Sequence, residues 1–240
     1  MAKLKGAEKQ QYVADLFTRI AGRYDLMNDL MTAGLHRRWK GQTAQLTAKG
    51  IKGKALDIAT GTGDLALALS RCQGISHTVG VDLLSEMVVL GLNKAQANGR
   101  ACHTTMLLGD ALRLPFPEGS FACATAGFSL RNMPDLSRAL AEMVRVVRPG
   151  GRVTTLELTP QAAGIASWFI RWYFHRVVPR LGQIVAGNRE AYTYLPDSVE
   201  VFPPADRLAE LFSEAGLVDV GYRRLGFGTV ALHWGHLPPD

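Results

Sequence analysis

The 240-residue chain has little cysteine: Cys72, Cys102 and Cys123 are scattered, odd in number and without metal-ligand spacing. A disulfide framework and a thiolate metal site are thereby excluded, and the thiols read as small apolar side chains in a reducing compartment. No uninterrupted apolar run approaches the ~18 residues of a membrane span. The opening Met1-Ala2-Lys3-Leu4-Lys5-Gly6 lacks the apolar core of a secretory leader, so the chain is expected to be soluble and cytoplasmic. His36, His175, His233 and His236 show neither metal nor triad spacing. They read as structural or solvated, and no metal is expected. Internal repeats and low-complexity tracts are also missing.

What remains is ordinary globular material. Hydrophobic residues make up 47% and charged residues 20%, and a chain of this length buries a core without covalent staples. The formal net charge is +6. A basic surface attracts nucleic acid, anionic lipid or acidic substrates, and charge alone does not choose among them.

Residues 1–12 are polar and basic and read as a loose arm. From 13 to 48, Val13, Leu16, Phe17 and Ile20, then Leu26, Met27, Leu30 and Met31, stand at helical spacing around Gly22 and Gly34. They predict two or three helices. Strands follow over Ala55–Ala59, His77–Val81, His103–Leu108, Phe121–Ala126 and Arg152–Leu158. Helices over Asp64–Cys72, Ser85–Asn98 and Ser137–Val147 separate them, with Ser85 read as a cap and Glu86 in the first turn. This alternation implies right-handed crossovers and a parallel sheet covered on both faces. A helix over Ala205–Ala215 stops at Gly216, and Val218–Leu225 and Phe227–Trp234 close the chain as a hairpin. The expected fold is a doubly wound, mostly parallel α/β sheet with a C-terminal antiparallel hairpin. Residues 1–48 are expected to form a helical cap over the site. Residues 49–240 are expected to form the main domain, with a substrate-side insertion at about 161–200.

The strongest local signal is Leu56-Asp57-Ile58-Ala59-Thr60-Gly61-Thr62-Gly63-Asp64, a strand that runs into a glycine turn and a helix. Glycines there let the backbone approach a ligand at the carboxyl edge of the sheet. Asp82 ends the next strand, where an acid accepts hydrogen bonds from ribose hydroxyls. The pattern also fits a dinucleotide fingerprint, and Asp64 is the discriminating residue. A dinucleotide sets its pyrophosphate at such a helix N-terminus, and a carboxylate there repels it. S-adenosylmethionine (SAM) has no phosphate and brings an ammonium and a sulfonium, so Asp57 and Asp64 suit SAM and oppose NAD. The plainer readings make Asp64 a helix cap and Asp57 a strand-end acid bonded to nearby amides. After the third strand, Asp110 offers a carboxylate to an adenine amino group, and Leu83 and Leu112 offer apolar faces to the ring. Alone, Asp110 would read as a surface turn acid.

Several segments together resemble one family, the ubiquinone/menaquinone biosynthesis C-methyltransferases. They are Phe17 through Asn28 (FTRIAGRYDLMN), His36-Arg37-Arg38-Trp39-Lys40, the 56–65 loop, and Gly109-Asp110-Ala111 with Leu114-Pro115-Phe116-Pro117. Leu130-Arg131-Asn132, Val147-Arg148-Pro149-Gly150-Gly151, Ala191-Tyr192-Thr193-Tyr194-Leu195 and Val230-Ala231-Leu232-His233 complete the set. The glycine loop and Pro-Gly-Gly occur in many methyltransferases, whereas Arg-Tyr-Asp-Leu-Met-Asn and Leu-Arg-Asn are more specific. The resemblance implies a class I SAM-dependent methyltransferase, Rossmann-like with seven strands, acting on a ring carbon of a polyprenylated quinol. Demethylmenaquinol is the first expected acceptor and a methoxy-polyprenyl-benzoquinol of ubiquinone synthesis the second. SAM is expected at Asp57, Gly61, Thr62, Gly63, Asp82, Leu83, Asp110, Ala111 and Gly127. The chain departs from the family at Gly127-Phe128-Ser129-Leu130, where Phe-Gly-Leu is usual and some members carry serine at the Gly127 position. A hydroxyl contact is missing there, and the local backbone is expected to differ.

Methyl transfer from a sulfonium is an in-line displacement, so the protein must align the partners, exclude water and enrich the acceptor carbon in electrons. A quinol carbon becomes nucleophilic when the neighbouring phenol gives up its proton. By resemblance, Arg131 and Asn132 activate the acceptor and Tyr24 positions it. A guanidinium does not accept a proton at ordinary pH, so Arg131 acts electrostatically, with water as the proton sink. Taken alone, Arg131 would read as a surface salt bridge and Tyr24 as a helix core residue.

Trp168 to Phe174, with Arg171, His175, Arg176 and Arg180 interleaved, reads either as a packed lid helix or as a basic amphipathic segment lying on anionic lipid. The expected partners are a lipophilic polyprenyl quinol and, transiently, a membrane surface, with a homo-oligomer left open. Nucleic acid is not expected: the fourth strand ends in Ala124-Thr125-Ala126-Gly127-Phe128-Ser129, without a polar-Pro-Pro-aromatic clamp, and no cysteine is placed as a C5 nucleophile. A non-catalytic SAM-binding subunit is disfavoured because Arg131, Asn132 and the glycine loop are all present.

Overall fold

The computed structural model describes Leu4, residues 6–160, Arg176, Arg180, Gln183 and residues 189–239. The two readings of Trp168 to Phe174 lie outside the described residues. The N-terminal segment forms three helices: α1 (Gly6–Ile20), α2 (Tyr24–Thr32) and α3 (Leu35–Ala48). The expectation of a loose arm to residue 12 is corrected here, because helix begins at Gly6. Lys9 and Gln10, polar in sequence, face inward and are held by hydrogen bonds to the main domain.

The strands are β1 (Gly53–Ile58), β2 (Ile75–Asp82), β3 (Thr104–Leu108), β4 (Phe121–Gly127), β5 (Val147–Leu158), β6 (Val218–Leu225) and β7 (Val230–His236). They form one sheet in the order β3-β2-β1-β4-β5-β7-β6. The first five are parallel, and β7 runs antiparallel between β5 and β6. This is the doubly wound, mostly parallel sheet with a terminal antiparallel hairpin that the sequence leads one to expect. Helices α4 (Asp64–Leu69), α5 (Ser85–Ala97) and α6 (Leu136–Val146) follow β1, β2 and β4. Helices α7 (Arg189–Glu200) and α8 (Ala205–Glu214) precede the hairpin, and Gly216 takes the left-handed position after α8 (φ +95°).

Alternation along the strands splits the core between the two faces. Leu56 and Ile58 of β1 join Leu140, Met143, Leu208 and Phe212 on the α6/α8 side. Ala55 faces the other way, with Ala44, Leu65, Leu69 and Cys123 on the α3/α4 side. Each large side chain so buried contributes about 1.5–3 kcal/mol. A separate cluster of Leu16, Ile20, Met27, Tyr192 and Tyr194 ties α1 and α2 to α7.

Two local expectations change. Ser85 does not cap α5: its hydroxyl bonds the Glu86 side chain, and Asp82 Oδ1 instead accepts from Leu84 N at the helix entrance. Of the thiols, Cys123 is buried, Cys72 half-buried and Cys102 exposed, so only the first fully fits the apolar reading.

Candidate active site

The parallel register brings Ile58, Asp82 and Gly127 to one edge of the sheet. The turn after β1 needs backbone that L side chains rarely adopt, with Gly61 at φ +57° and Gly63 at φ +83°. Gly61 N, freed by this turn, donates to Asp82 Oδ2 at 2.7 Å, and Leu84 N donates to Oδ1 at 3.0 Å. Burial pushes the Asp82 carboxyl up, while these amides hold it down. On the third strand's loop, Asp110 Oδ1 accepts from Leu112 N at 2.8 Å and Oδ2 from Gln10 Nε2 at 3.0 Å.

These residues line a cavity with about 830 Å³ of empty space, its open mouth included. Of the sequence candidates for SAM, Gly61, Asp82, Leu83, Asp110, Ala111 and Gly127 lie on its wall, as do Leu112 and the helix α1 residues Gln10, Val13, Ala14 and Phe17.

Asp57, Thr62 and Gly63 lie off that wall. Asp57 is buried under the turn, accepting from Thr60 Oγ1 at 2.6 Å and Thr125 Oγ1 at 2.8 Å, and burial pushes its carboxyl up to about 6. Thr62 donates to Asp25 Oδ1 at 2.7 Å and accepts from Lys94 Nζ at 2.8 Å. Asp64 is neither a cap nor a free anion. Its carboxylate sits 2.9 Å from Lys40 Nζ and 2.7 Å from Lys94 Nζ, and these cations hold its pKa well below the usual range despite burial. Contrary to the expectation from sequence, Asp64 does not set a bare negative charge against a pyrophosphate: two lysines already neutralise it. Lys94 also bonds Asp25 Oδ2 at 2.5 Å, fastening α2 to the glycine turn.

A second cavity, with about 730 Å³ of empty space, adjoins the first. Phe17, Tyr24 and Phe128 line both, where the two meet. Phe128 stands at φ +59°, a strained position for a side chain of this size. It is held because its N–H donates to Leu156 O and its carbonyl accepts from Arg131 Nη1, each at 2.6 Å. Ser129, at the departure noted from sequence, has φ −126°, which any residue tolerates.

Arg131 lines the second cavity, Asn132 the first, and Tyr24 both. Arg131 is not a surface ion pair. Its Nη1 meets Glu157 Oε1 at 2.6 Å, with the side chains 6% and 1% exposed. Glu157 also accepts from Arg131 N and Leu158 N, so each of its oxygens has a donor. Removing one partner of such a buried pair strands the other charge. Lys9 Nζ donates to the carbonyls of Arg131 and Met133, at 2.9 Å each, and pins α1 to this corner.

The remaining wall includes the apolar Ile20, Met31, Trp39, Leu158 and Leu195 and five further polar side chains: Asn28, Thr32, His36, Tyr192 and Tyr194. His36 Nδ1 and both tyrosine hydroxyls are buried and have no hydrogen-bond partner among the described residues. The sequence alone gives the two tyrosines no role, and of the two readings of His36, structural or solvated, its burial fits the first. Glu157 was missed as well. An acid on a strand predicted to be buried on both faces was the signal available, because a buried carboxylate demands a cation.

The sequence profile described as the ubiE/COQ5 methyltransferase family matches residues 5–237. A demethylmenaquinone methyltransferase of Roseiflexus castenholzii is 45% identical over 95% of this chain and 94% of that protein. A ubiquinone/menaquinone biosynthesis C-methyltransferase of Rickettsia bellii is 37% identical over 96% of this chain and 94% of that one. Among solved structures, a SAM-dependent methyltransferase of Thermotoga maritima superposes with a TM-score of 0.60 at 18% identity, covering 92% of this chain and 98% of that one. That likeness speaks for the fold alone, the Rossmann-like architecture of class I enzymes.

Proposed function

On the premise that this chain belongs to the ubiE/COQ5 methyltransferase family, we propose that it moves a methyl group from SAM to a ring carbon of a polyprenylated quinol, turning demethylmenaquinol into menaquinol. The observation that carries this reading is the pair of adjoining cavities. One has the carboxylates and glycine turn of a nucleoside site. The other is apolar, with one buried cation, Arg131, on its wall.

In the first cavity, Asp82 suits ribose hydroxyls, and Asp110 suits an adenine amino group between Leu83 and Leu112. Gly61, Ala111 and Gly127 leave room for backbone approach, while Asp57, Thr62 and Gly63 shape the turn from behind. SAM brings a methyl already activated as a sulfonium. Arg131, held by Glu157, stabilises the developing phenolate by its charge. Asn132 and Tyr24 orient the ring, and Phe17, Tyr24 and Phe128 keep water from the reacting carbon. Helices α1 and α2 serve as the cap that closes over both ligands. No metal has a role in this chemistry.

A benzoquinol of ubiquinone synthesis is the second reading, favoured by the Rickettsia bellii relative. Among the described residues no helix is long and apolar enough to cross a membrane. A lipid-dissolved acceptor and the surplus of cations suit transient contact with an anionic membrane surface.

Expression in strains lacking menaquinone or ubiquinone methylation, with quinones identified by mass spectrometry, tests the proposal. Restored menaquinone supports the first reading and restored ubiquinone the second. Accumulation of unmethylated precursors in both strains contradicts both.

A further inference from the structure

The reaction needs a proton acceptor, and the residues so far assigned supply none. Arg131 is a permanent cation, and Glu157 spends its oxygens on Arg131 and Leu158 N. Burial raises the pKa of Tyr192 and Tyr194, so both hydroxyls keep their protons and serve as hydrogen-bonding groups.

His36 differs from all of these. Its side chain is 3% exposed and lines the second cavity, and its Nε2 lies 2.9 Å from Asp29 Oδ1. A carboxylate only accepts, so Nε2 carries the hydrogen and the lone pair sits on Nδ1. Nδ1 is buried without a partner among the described residues. Asp29 is itself anchored by Arg37, and Thr32 Oγ1 accepts from His36 N at 3.3 Å. An oriented imidazole on the wall of a mostly apolar cavity, with a carboxylate behind it and a buried, unused lone pair, has the parts of a general base.

We propose that His36, oriented by Asp29, takes the phenolic proton of the acceptor in the second cavity. The inference rests on the quinol reading of that cavity. The phenol O–H bond breaks, its proton joins the lone pair of Nδ1, and its electron pair stays on oxygen beside Arg131. Delocalised onto the neighbouring ring carbon, that density forms the new C–CH3 bond while the S–CH3 pair remains on sulfur. The ring hydrogen then leaves as a proton to water, His36 returns its own proton to the oxygen, and one proton is released per turnover.

The surroundings agree with this role. Burial, with Lys40 adding to it, lowers the imidazole's pKa, against the pull of Asp29 and Asp64, so His36 is neutral at ordinary pH and keeps its lone pair. Tyr24, Arg131, Tyr192 and Tyr194 share its cavity.

The test uses the full chain, SAM and a reduced short-chain demethylmenaquinol. In His36→Gln, kcat should fall at least ~100-fold, the usual worth of a general base, while calorimetric SAM affinity stays within about twofold. The wild-type loss of kcat/KM on acidification through the imidazole titration should vanish in this variant. In His36→Ala, added imidazole should restore turnover in proportion to its neutral form. Either kcat within about threefold of wild type with the acid limb intact, or loss of SAM binding and fold in both variants, overturns the assignment. If the wild-type protein methylates no quinol, the functional reading fails first and takes this one with it. Wild-type turnover with an indifferent His36 sinks only the base.

Discussion

The two cavities share three aromatic rings, and each has buried polar atoms without a partner among the described residues (Ser129 Oγ and Asn132 Oδ1 in the first), but they differ in how their titratable groups are held. On the strand-edge side, Asp82 and Asp110 are each tied down by a backbone N–H two residues on, so the carboxylates are fixed before any ligand arrives. On the helical side, His36 Nδ1 and the Tyr192 and Tyr194 hydroxyls are buried without partners among the described residues. Leaving a buried polar group unmatched costs about 1–3 kcal/mol, a cost that a polar acceptor ring would relieve. A pre-fixed site favours tight, specific holding, whereas an unmatched one favours a ligand that completes it.

The largest expected effect lies at the corner between them. Arg131→Ala should lower kcat/KM by ~100- to 1000-fold, as loss of a transition-state charge contact does, with SAM affinity kept. It should also cost about 3–5 kcal/mol of stability by stranding Glu157. Arg131→Met with Glu157→Leu should recover most of that stability in denaturant titrations while staying inactive. Recovery of activity in the double variant would erase the distinction between the two cavities.

Next comes a pH effect under the first cavity. Asp57, pushed up to about 6, takes up a proton in the folded state before the unfolded one, so its contribution makes the protein more stable as pH falls from about 6 to 4. His233 works the other way. Burial lowers it to about 4, and its Nε2 donates to Ala205 O, so stability is lost as pH falls from its unfolded value near 6.5 towards 4. Each contribution is about 3 kcal/mol at most. Asp57→Asn should therefore uncover a loss of stability on acidification over this window, and His233→Gln should uncover a gain. Identical slopes in all three proteins would refute both placements.

Asp82→Ala should weaken SAM by about 10- to 100-fold, the worth of a charged hydrogen-bond acceptor, and leave the acceptor's KM nearly unchanged. Similar losses for both ligands would mean that the cavities are not separable. The smallest effect concerns Gln10, whose amide occupies Asp110 Oδ2 at 3.0 Å. Gln10→Ala should tighten SAM about threefold by removing a competitor worth under about 1 kcal/mol, as calorimetry would detect.

The first cavity was largely legible in the sequence, and the second was not, for a physical reason. Gly61, Asp82 and Asp110 each follow a parallel strand, and a parallel sheet gathers its carboxyl ends on one edge without further information. The second cavity draws on α1, α2, α3, α7 and the ends of β4 and β5, so His36 and Tyr194, 158 positions apart, meet only through tertiary packing. Resemblance supplied Arg131 and Tyr24 there, and Asn132 on the first cavity's wall, but not Glu157, because nothing local to Leu156-Glu157-Leu158 announces its partner. Asp64 failed in the opposite direction. Its position beside the glycine turn suggested a ligand contact, and two lysines at 24 and 30 residues' distance in sequence claim it instead. Local motif reading cannot see a neutralising charge that arrives from another helix.

The central claim is methyl transfer from a sulfonium to the carbon of a reduced ring. Incubation with trideuteromethyl SAM and reduced demethylmenaquinol, followed by mass spectrometry and NMR of the product, tests it directly. One labelled methyl on the ring carbon beside a phenol, with S-adenosylhomocysteine formed in equal amount, is the expected result. A label on oxygen, or SAM bound with no transfer to any quinol, would contradict it.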